Sequence, residues 1–377
     1  MYFVLHNFWL LFDPLFKYFG IYPCQKVGED KLKQNSTCHF WGLYFGFTFL
    51  YQTIFFGIMG GIICVWTSPS DLLNNFIEKA VPTLLDQMVL ASTVGNLYQI
   101  YFACLGHLHS FGNGLSMFQE FINNRAIIMD KSIINQKVIS YAKCLTCGLL
   151  CGLSGFMNYV GVIYLITKGT NLPTIWMIVF ILCFAMINIP SFIPIFYFTF
   201  SYMEIVNALS NWCQTIIKSE MTFDFLVKVR DFMDGLKLAR KILSPFLFWI
   251  IWGYFLQAII MSYFIIATIM NENTNLEWEN ICSIISYLLL DIWIIYLFHM
   301  YCSMSEHIVD QINQLRERVM DFEQQSNQQD MIFTALSEFQ GFDAKGYFTL
   351  NNSLLTGMIT NFATLLVILI QFKQSEI

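Results

Sequence analysis

The sequence predicts an all-α, polytopic membrane protein with seven transmembrane helices, and three observations predict this fold class. Of the 377 residues, 56% are hydrophobic and only 12% are charged, which is too apolar a balance for a soluble domain. Seven windows are long and apolar enough to cross a bilayer, and each must be helical because unpaired peptide groups cannot face hydrocarbon. The segments between these windows differ sharply in their content of Lys and Arg, as expected of an oriented membrane protein.

The seven predicted spans belong to a single domain, residues 1–377, which has no repeat at a fixed period. About 20 apolar residues are needed to cross roughly 30 Å of hydrocarbon, and every window meets that length. Five windows lack Asp, Glu, Lys and Arg, and the second and sixth contain one acid each. In order, the approximate bounds are Gly42–Trp66, Leu84–Leu105, Leu145–Ile166, Ile175–Ser201, Pro245–Met270, Ile281–Ser303 and Asn352–Phe372.

The basic residues predict the orientation of these spans. The segment before span one and those between spans two and three, four and five, and six and seven hold 17 of the 20 Lys and Arg residues. The opposite set of segments holds only Lys79, Lys168 and Lys373. Because cytoplasmic segments carry the excess of cations, the amino terminus is predicted to be cytoplasmic and the carboxyl terminus extracellular.

The long cytoplasmic segments are predicted to be packed helices. Apolar residues recur in them at alternating spacings of four and three, as on the buried side of a helix. Several spanning helices should therefore continue below the membrane into a cytoplasmic bundle. The spacing leaves open whether these rows pack within one chain or between subunits. The rows are Phe111, Leu115, Phe118 and Ile122; Ile205, Leu209, Trp212 and Ile216; Phe225, Val229, Phe232 and Leu236; and Ile308, Ile312, Leu315, Val319 and Phe322.

The seventh span carries a polar stripe on an otherwise apolar helix, with two apolar residues on the same side near its outer end. If several copies met around an axis, the stripe would line an aqueous path and the apolar pair would narrow it. One helix cannot enclose a pore, so this interpretation requires a cyclic oligomer. The alternative is a helix buried within its own bundle, with the stripe satisfied internally. The stripe consists of Gly357, Thr360, Asn361, Thr364 and Gln371, and the apolar pair is Ile368 and Phe372.

The end of the seventh span also contains a motif of nine residues. Thr364 is followed by apolar residues and then by Gln371 and Phe372, after the segment 342–350, Phe-Asp-Ala-Lys-Gly-Tyr-Phe-Thr-Leu. This stretch resembles the signature of the insect gustatory receptor family, which reads Thr-Tyr, five apolar residues, then Gln-Phe. Leu365 stands where the family usually has Tyr and where its sugar-sensing branch has Glu, so the ligand class stays open.

The resemblance implies a ligand-gated, non-selective cation channel of the plasma membrane that a small extracellular tastant opens. It implies a homotetramer or a heterotetramer with other gustatory receptors, held in membrane lipid, with the seventh helices lining the pore and no cofactor. Gln371 and Phe372 match the family's gate positions. The pore and gate residues predicted on this basis are Asn361, Thr364, Ile368, Gln371 and Phe372.

Two acids inside predicted spans are candidate ligand-binding residues, because an ionised carboxylate deep in lipid needs water, a cation or hydrogen-bond donors. Asp291 lies about ten residues into span six, with Tyr287 one turn before it on the same face. Asp86 is close to the outer end of span two, where an interfacial role is favoured. Aromatic residues in the outer halves either wall a pocket or anchor the helices at the membrane interface; these are Tyr159, Tyr164, Trp176, Tyr263 and Tyr287.

Other functional classes find little support in the sequence. The cations are too few for a nucleic-acid surface, and no catalytic motif is present, so no enzyme activity is expected. Two alternatives remain: a G-protein-coupled type of seven-helix receptor, which would place its amino terminus outside, and a multispan transporter. The His and Cys groups do not complete a four-ligand metal site; these are His107, His109, Cys144, Cys147 and Cys151.

Overall fold

The computed structural model describes residues 24–27, 31–34, 198–220, 223–271, 278–321 and 327–376, together with residue 195 and single positions between residues 111 and 160. Predicted spans one and two lie outside these residues, and spans three and four are described only in part. The predicted spans five, six and seven are described at all or almost all of their positions.

Near the amino terminus, the strands β1 (Cys24–Val27) and β2 (Lys31–Gln34) form an antiparallel pair. Cys24 lies opposite Gln34, and Val27 lies opposite Lys31. The three residues between the strands read Gly-Glu-Asp in the sequence, which is a composition that favours turns. The sequence analysis did not predict this hairpin, which leaves the helical fold class unchanged.

Two long helices contain the fifth and sixth predicted spans. Helix α1 (Phe223–Asn271) has 49 residues and helix α2 (Trp278–Met320) has 43, and the two helices pack against each other. At 1.5 Å per residue they are about 74 Å and 65 Å long, roughly twice the thickness of the hydrocarbon core. Both therefore continue well beyond the membrane, on the side predicted to be cytoplasmic.

The chain after α2 leads to the last span through short elements. Helix α3 (Asn327–Ser337) is followed by the strands β3 (Asp343–Ala344) and β4 (Phe348–Thr349), which pair in antiparallel fashion. Helix α4 (Asn352–Glu376) has 25 residues, about 38 Å. Within the described residues, α1, α2 and α4 each contain a stretch long and apolar enough to cross a membrane.

The core confirms the four apolar rows of the sequence. Every described member is buried, and the most exposed of them, Ile122, is only 7% accessible. Phe322 lies outside the described residues. All these side chains belong to one chain and form one cluster, so the rows pack within the subunit. The bundle that is predicted to be cytoplasmic is thus built from the ends of helices that also contain predicted spans.

Aromatic rings join α1, α2 and the helical segment 198–218 at the level where the bundle meets the membrane. The rings of Phe198 and Phe246 stack with centroids 4.9 Å apart, and those of Tyr202 and Tyr301 meet edge to face at 4.9 Å. The hydroxyl of Tyr202 donates to the carbonyl of Tyr301 at 3.0 Å. The buried hydroxyl group of Tyr202 is therefore paired at this junction, as a low-dielectric interior favours.

A glycine sets the distance between α1 and the segment 198–218. A Cβ atom on Gly235 would lie 2.6 Å from Cζ3 of Trp212 and 3.2 Å from Cε1 of Phe121. Real Cβ atoms do not approach that closely, so a larger residue would push the indole ring or the helix away.

Candidate pore helix and ligand-binding residues

One face of α4 packs against its own subunit. In the first half of the helix, partly buried side chains on this face contact the main core. Further along, two leucines contact Tyr263 and Ala267 of α1. Leucine, methionine and phenylalanine at spacings of three and four give this face its fit to the groove between α1 and α2. The packed residues are Leu354, Leu355, Met358, Phe362, Leu366 and Leu369.

The polar stripe lies on the other face of α4 and is exposed in the single chain. In the most apolar 18-residue stretch of α4 no residue is buried, whereas 61% of the corresponding stretch of α1 is buried. Phe372 is 60% accessible and Ile368 is 41% accessible. Within the described residues, the stripe is therefore not packed inside its own bundle. The exposed residues are Gly357, Thr360, Asn361, Thr364, Ile368, Gln371 and Phe372.

Three threonines one turn apart give this face a defined chemistry. The hydroxyl groups of Thr356, Thr360 and Thr364 donate to the carbonyls of Asn352, Thr356 and Thr360 at 3.0, 3.1 and 3.0 Å. Each hydroxyl proton is thereby held by the helix itself, and each oxygen keeps lone pairs that can accept from water or meet a cation. The face thus offers oxygen acceptors without fixed negative charge.

The segment 342–350, hereafter the linking hairpin, leads directly into α4. Its turn has Lys345 at φ 51° and Gly346 at φ 77°, and the amide of Tyr347 donates to the carbonyl of Ala344 at 3.0 Å. Positive φ at both central residues is the geometry of a type I′ turn, which suits the twist of a two-residue hairpin. Gly346 adopts a positive φ without steric cost, whereas Lys345 adopts it at a steric cost.

The linking hairpin is attached to α1 by three residues that are four positions apart. Arg240 forms an ion pair with Asp343 through Nε and Oδ1. The Oγ atom of Ser244 accepts the amide of Lys345 at 2.6 Å, and the ammonium group of Lys345 lies 5.5 Å above the ring of Phe248. Because residues four apart share one face of a helix, α1 presents these three groups as a single docking edge.

Helix α2 holds the hairpin and the beginning of α4 from the other side. The amide of Phe342 donates to Oγ of Ser305 at 3.0 Å. The amide of Asn352 donates to Oε1 of Glu306 at 2.7 Å, and the side-chain amide of Asn352 donates to Oε2. Asn351 caps α4, since its Oδ1 accepts the amide of the third helical residue at 2.8 Å. The carboxylate of Glu306 also faces the positive end of the α4 dipole.

The segment 342–350 carries part of the family resemblance, but the sequence does not predict its attachments to α1 and α2. The partners are separated by 103 positions for Arg240 and Asp343 and by 46 positions for Glu306 and Asn352. The one local signal is the turn composition of the segment from Asp343 to Gly346, with the carboxylate of Asp343 accepting the Gly346 amide at 2.7 Å.

The structure places Asp291 and Tyr287 at the contact between α1 and α2. The hydroxyl of Ser262 donates to Oδ2 of Asp291 at 2.8 Å. The other carboxylate oxygen, Oδ1, is buried and has no hydrogen-bond partner in the described part of the chain. Tyr287 lies one turn from Asp291 toward the predicted outer end of the span, and its ring centroid is 6.3 Å from that of Phe264 on α1.

The remaining candidates divide between described and undescribed positions. Asp86, Tyr159, Tyr164 and Trp176 lie outside the described residues. Tyr263 is 1% accessible, and it packs with Ala267 against the leucines of α4 and does not line an open surface. The described residues contain no group of three His, Cys, Asp or Glu side chains that could hold a metal ion.

Adjacent residues of α1 connect Asp291 with α4. Ser262 bonds to the carboxylate of Asp291, and the next residue, Tyr263, packs on Leu366 and Leu369 of α4. These two leucines precede the exposed Phe372 by six and three positions. A displacement of α1 at its contact with Asp291 would therefore be passed to α4 within one turn of Phe372, the predicted gate residue.

Comparison with known proteins identifies similar chains. Residues 14–376 match the family described as 7tm chemosensory receptor. Structures of the insect olfactory receptor OR5 from Machilis hrabei are similar in fold, with a TM-score of 0.60 for the receptor alone and 0.57 for its complex with eugenol. The identities are 12% and 14%, over 98% and 97% of this chain and 99% of each receptor chain. No curated protein sequence matches. These likenesses confirm the predicted all-α, polytopic membrane fold.

Proposed function

Because the chain belongs to the 7tm chemosensory receptor family, we propose that it is a gustatory receptor of the plasma membrane, a ligand-gated, non-selective cation channel that a small extracellular tastant opens. The family consists of receptors and not of enzymes, in agreement with the lack of catalytic motifs. The observation that carries the channel assignment is the exposed polar face of α4, opposite the face that packs on the subunit. Four copies around an axis would bring four such faces together.

The proposed pore is lined by Asn361 and by the threonine row that ends at Thr364, with Ile368, Gln371 and Phe372 toward the outer end. Hydroxyl and amide oxygens favour cations over anions, and the absence of fixed charge on this face favours weak selectivity. A ring of Phe372 side chains blocks ions by excluding water. A small rotation of α4 that turns Phe372 away from the axis and brings Gln371 toward it would let water return to the constriction.

Gating requires that α1 and α2 move α4. Support for this step comes from the two attachments of α4: the linking hairpin with Glu306 at its start, and the contact of Tyr263 with Leu366 and Leu369 near its end. A helix that is held at its start by α1 and α2 and near its end by α1 follows the movement of these neighbours. Ligand contacts are proposed at Asp291 and Tyr287, and at Asp86 in span two.

The pore assignment is tested by cysteine substitution with whole-cell recording. Thr364→Cys, on the exposed face, should let a cationic methanethiosulfonate reagent block the ligand-evoked current. The matched control Leu366→Cys, on the packed face, and the unsubstituted chain with its own cysteines should keep their current. Equal block of both variants, or block of neither, would argue against a pore along this face.

The gate is tested by Phe372→Ala, which should produce cation current without ligand. Val367→Ala is a suitable control because Val367 is also exposed, at 53%, but lies outside the stripe. An unchanged resting conductance in the Phe372 variant at normal surface expression would contradict the gate assignment.

The orientation distinguishes this proposal from a G-protein-coupled type of receptor. An epitope tag at the amino terminus should be stained only after permeabilisation, because 17 of the 20 cations are on the proposed cytoplasmic side. Staining of intact cells would reject the proposed topology and would favour the alternative receptor class.

A further inference from the structure

The carboxylate of Asp291 is the one acid within the described spans, and its hydrogen bonding is incomplete. Oδ2 accepts from Ser262, whereas Oδ1 is buried and lacks a donor within the described part of the chain. A single hydroxyl group satisfies one lone pair and supplies no positive charge. Native proteins rarely leave a buried polar atom unpaired, and those that remain commonly mark the place of a water, an ion or a ligand.

No cation of the described residues pairs with Asp291. The predicted spans five and six contain no Lys or Arg, and their one histidine, His299, lies about two helical turns from Asp291. An ionised acid at this depth is costly unless a positive group meets it. If Asp291 is ionised, its positive partner therefore comes from outside the described part of the chain.

The surroundings of Asp291 favour an organic cation over a metal ion. Hard inorganic cations require about six oxygen ligands, and the described residues contain no group of three His, Cys, Asp or Glu side chains that could hold a metal ion here. One turn further out, the ring of Tyr287 lies beside the ring of Phe264. A carboxylate next to aromatic rings is the arrangement that binds ammonium groups, because the ring faces attract the cation as well.

We propose that Asp291 pairs with the protonated amine or quaternary ammonium group of the tastant, so that the ligands of this receptor are small organic cations. This inference rests on the proposed function and specifies its ligand class. The ammonium group meets the open Oδ1, while Tyr287 and the apolar side chains of the span surround the organic part of the ligand. A neutral polyol would donate a hydrogen bond to Oδ1 but would leave the charge uncompensated.

The same geometry connects ligand binding with opening. In the structure Oδ1 has no hydrogen-bond partner within the described residues, and an ammonium group would supply one. Where the open arrangement of α1 and α2 makes this contact better than the closed one, the ligand binds the open state more tightly. Such differential affinity is what shifts a two-state equilibrium. Ser262 lies on this contact, and its neighbour Tyr263 transmits the shift to α4.

The experiment uses pairs of compounds that share one shape and differ in charge, such as choline and 3,3-dimethylbutanol, in cells that express the full chain. A panel of alkylammonium and amine compounds, each with its neutral isostere, is applied during calcium imaging and whole-cell recording. We expect responses to cationic members and weak or no responses to their isosteres. Asp291→Asn keeps the size and the Ser262 hydrogen bond but removes the charge, and it should raise the half-maximal concentration at least about 30-fold.

Two companion variants make the outcome decisive. Asp291→Glu restores the charge and should recover part of the sensitivity. Asp291→Asn combined with Phe372→Ala should still give ligand-independent current, which reports a folded channel. The ammonium proposal is overturned if the double variant conducts and one of three results is found. The unsubstituted chain ignores all cationic compounds, or it prefers the neutral ones, or the Asp291→Asn variant responds to the cationic compounds as strongly as the unsubstituted chain. Loss of all current in Phe372→Ala alone would instead count against the channel proposal.

Discussion

Removing the carboxylate of Asp343 should loosen the start of α4 much more than removing its ion-pair partner. Asp343 makes two interactions: the ion pair with Arg240 and the hydrogen bond from the amide of Gly346 at 2.7 Å. The Arg240 side chain is 48% accessible, so the ion pair is screened by water and is worth about 0.2 to 1 kcal/mol. The charge-assisted bond to the amide is better shielded and is worth about 1.5 to 3 kcal/mol.

These magnitudes predict the order of three variants. Asp343→Ala loses both interactions and should destabilise the subunit by about 2 to 4 kcal/mol. Arg240→Ala loses only the ion pair and should cost less than about 1 kcal/mol. Asp343→Asn can still accept the Gly346 amide through its side-chain oxygen, but without charge assistance, so its effect should lie between those of the other two variants.

The assay is thermal unfolding of the purified full-length protein, followed by tryptophan fluorescence and paired with recordings at matched surface expression. Asp343→Ala should show the largest drop in melting temperature and the smallest maximal current, because the start of α4 is then fixed less firmly to α1. If Arg240→Ala proved as damaging as Asp343→Ala, the ion pair and not the turn would hold the hairpin, and the reasoning would be wrong.

Three further predictions concern other parts of the fold. Gly235→Ala should destabilise the subunit by about 1 to 3 kcal/mol through collision with Trp212, whereas Gly152→Ala, which meets open space, should not; expression and melting temperature distinguish them. Glu306→Ala should lower the melting temperature and the ligand-evoked current, since the first amide of α4 loses its acceptor; a current equal to that of the parent would refute this role. Burial raises the pKa of the Cys213 thiol from 9.0 to about 12, so its stabilising contribution is complete below pH 9 and is lost as pH rises toward 12 at about 1.4 kcal/mol per pH unit. Melting temperatures measured across that interval should therefore fall more steeply for the parent than for Cys213→Ala, and parallel curves would contradict the assignment.

The sequence predicted those features whose cause is local. The rows of apolar residues in the cytoplasmic segments are repeated every three or four positions, and burial follows directly from that spacing, as at Val229 and Leu315. The continuation of spanning helices below the membrane follows from the same rows. The exposed position of the stripe on α4 was one of two alternatives, because an isolated helix pattern does not say which neighbours it meets.

The features that the sequence did not predict depend on packing between distant residues. Ser262 is one serine among many, and only the contact between α1 and α2 brings it to Asp291. The sequence places Tyr263 among the aromatic residues of the outer halves that either wall a pocket or anchor the helices, whereas the packing of α1 against α4 directs its side chain toward the leucines of α4. The short pair of β3 and β4 contains four strand residues, which is too few for any alternation pattern to appear.

The exposed polar face of α4 has a consequence for the biosynthesis of such a protein. A solitary copy in the endoplasmic reticulum would present Asn361 and Gln371 to acyl chains, an environment that offers them no hydrogen bonds. We therefore expect newly synthesised copies to be held back until companions cover that face, so the amount of protein that leaves the endoplasmic reticulum would depend steeply on synthesis rate. Co-expressed relatives with a similar bare helix would compete for the same positions, so the composition of mixed particles would follow the relative abundance of each chain.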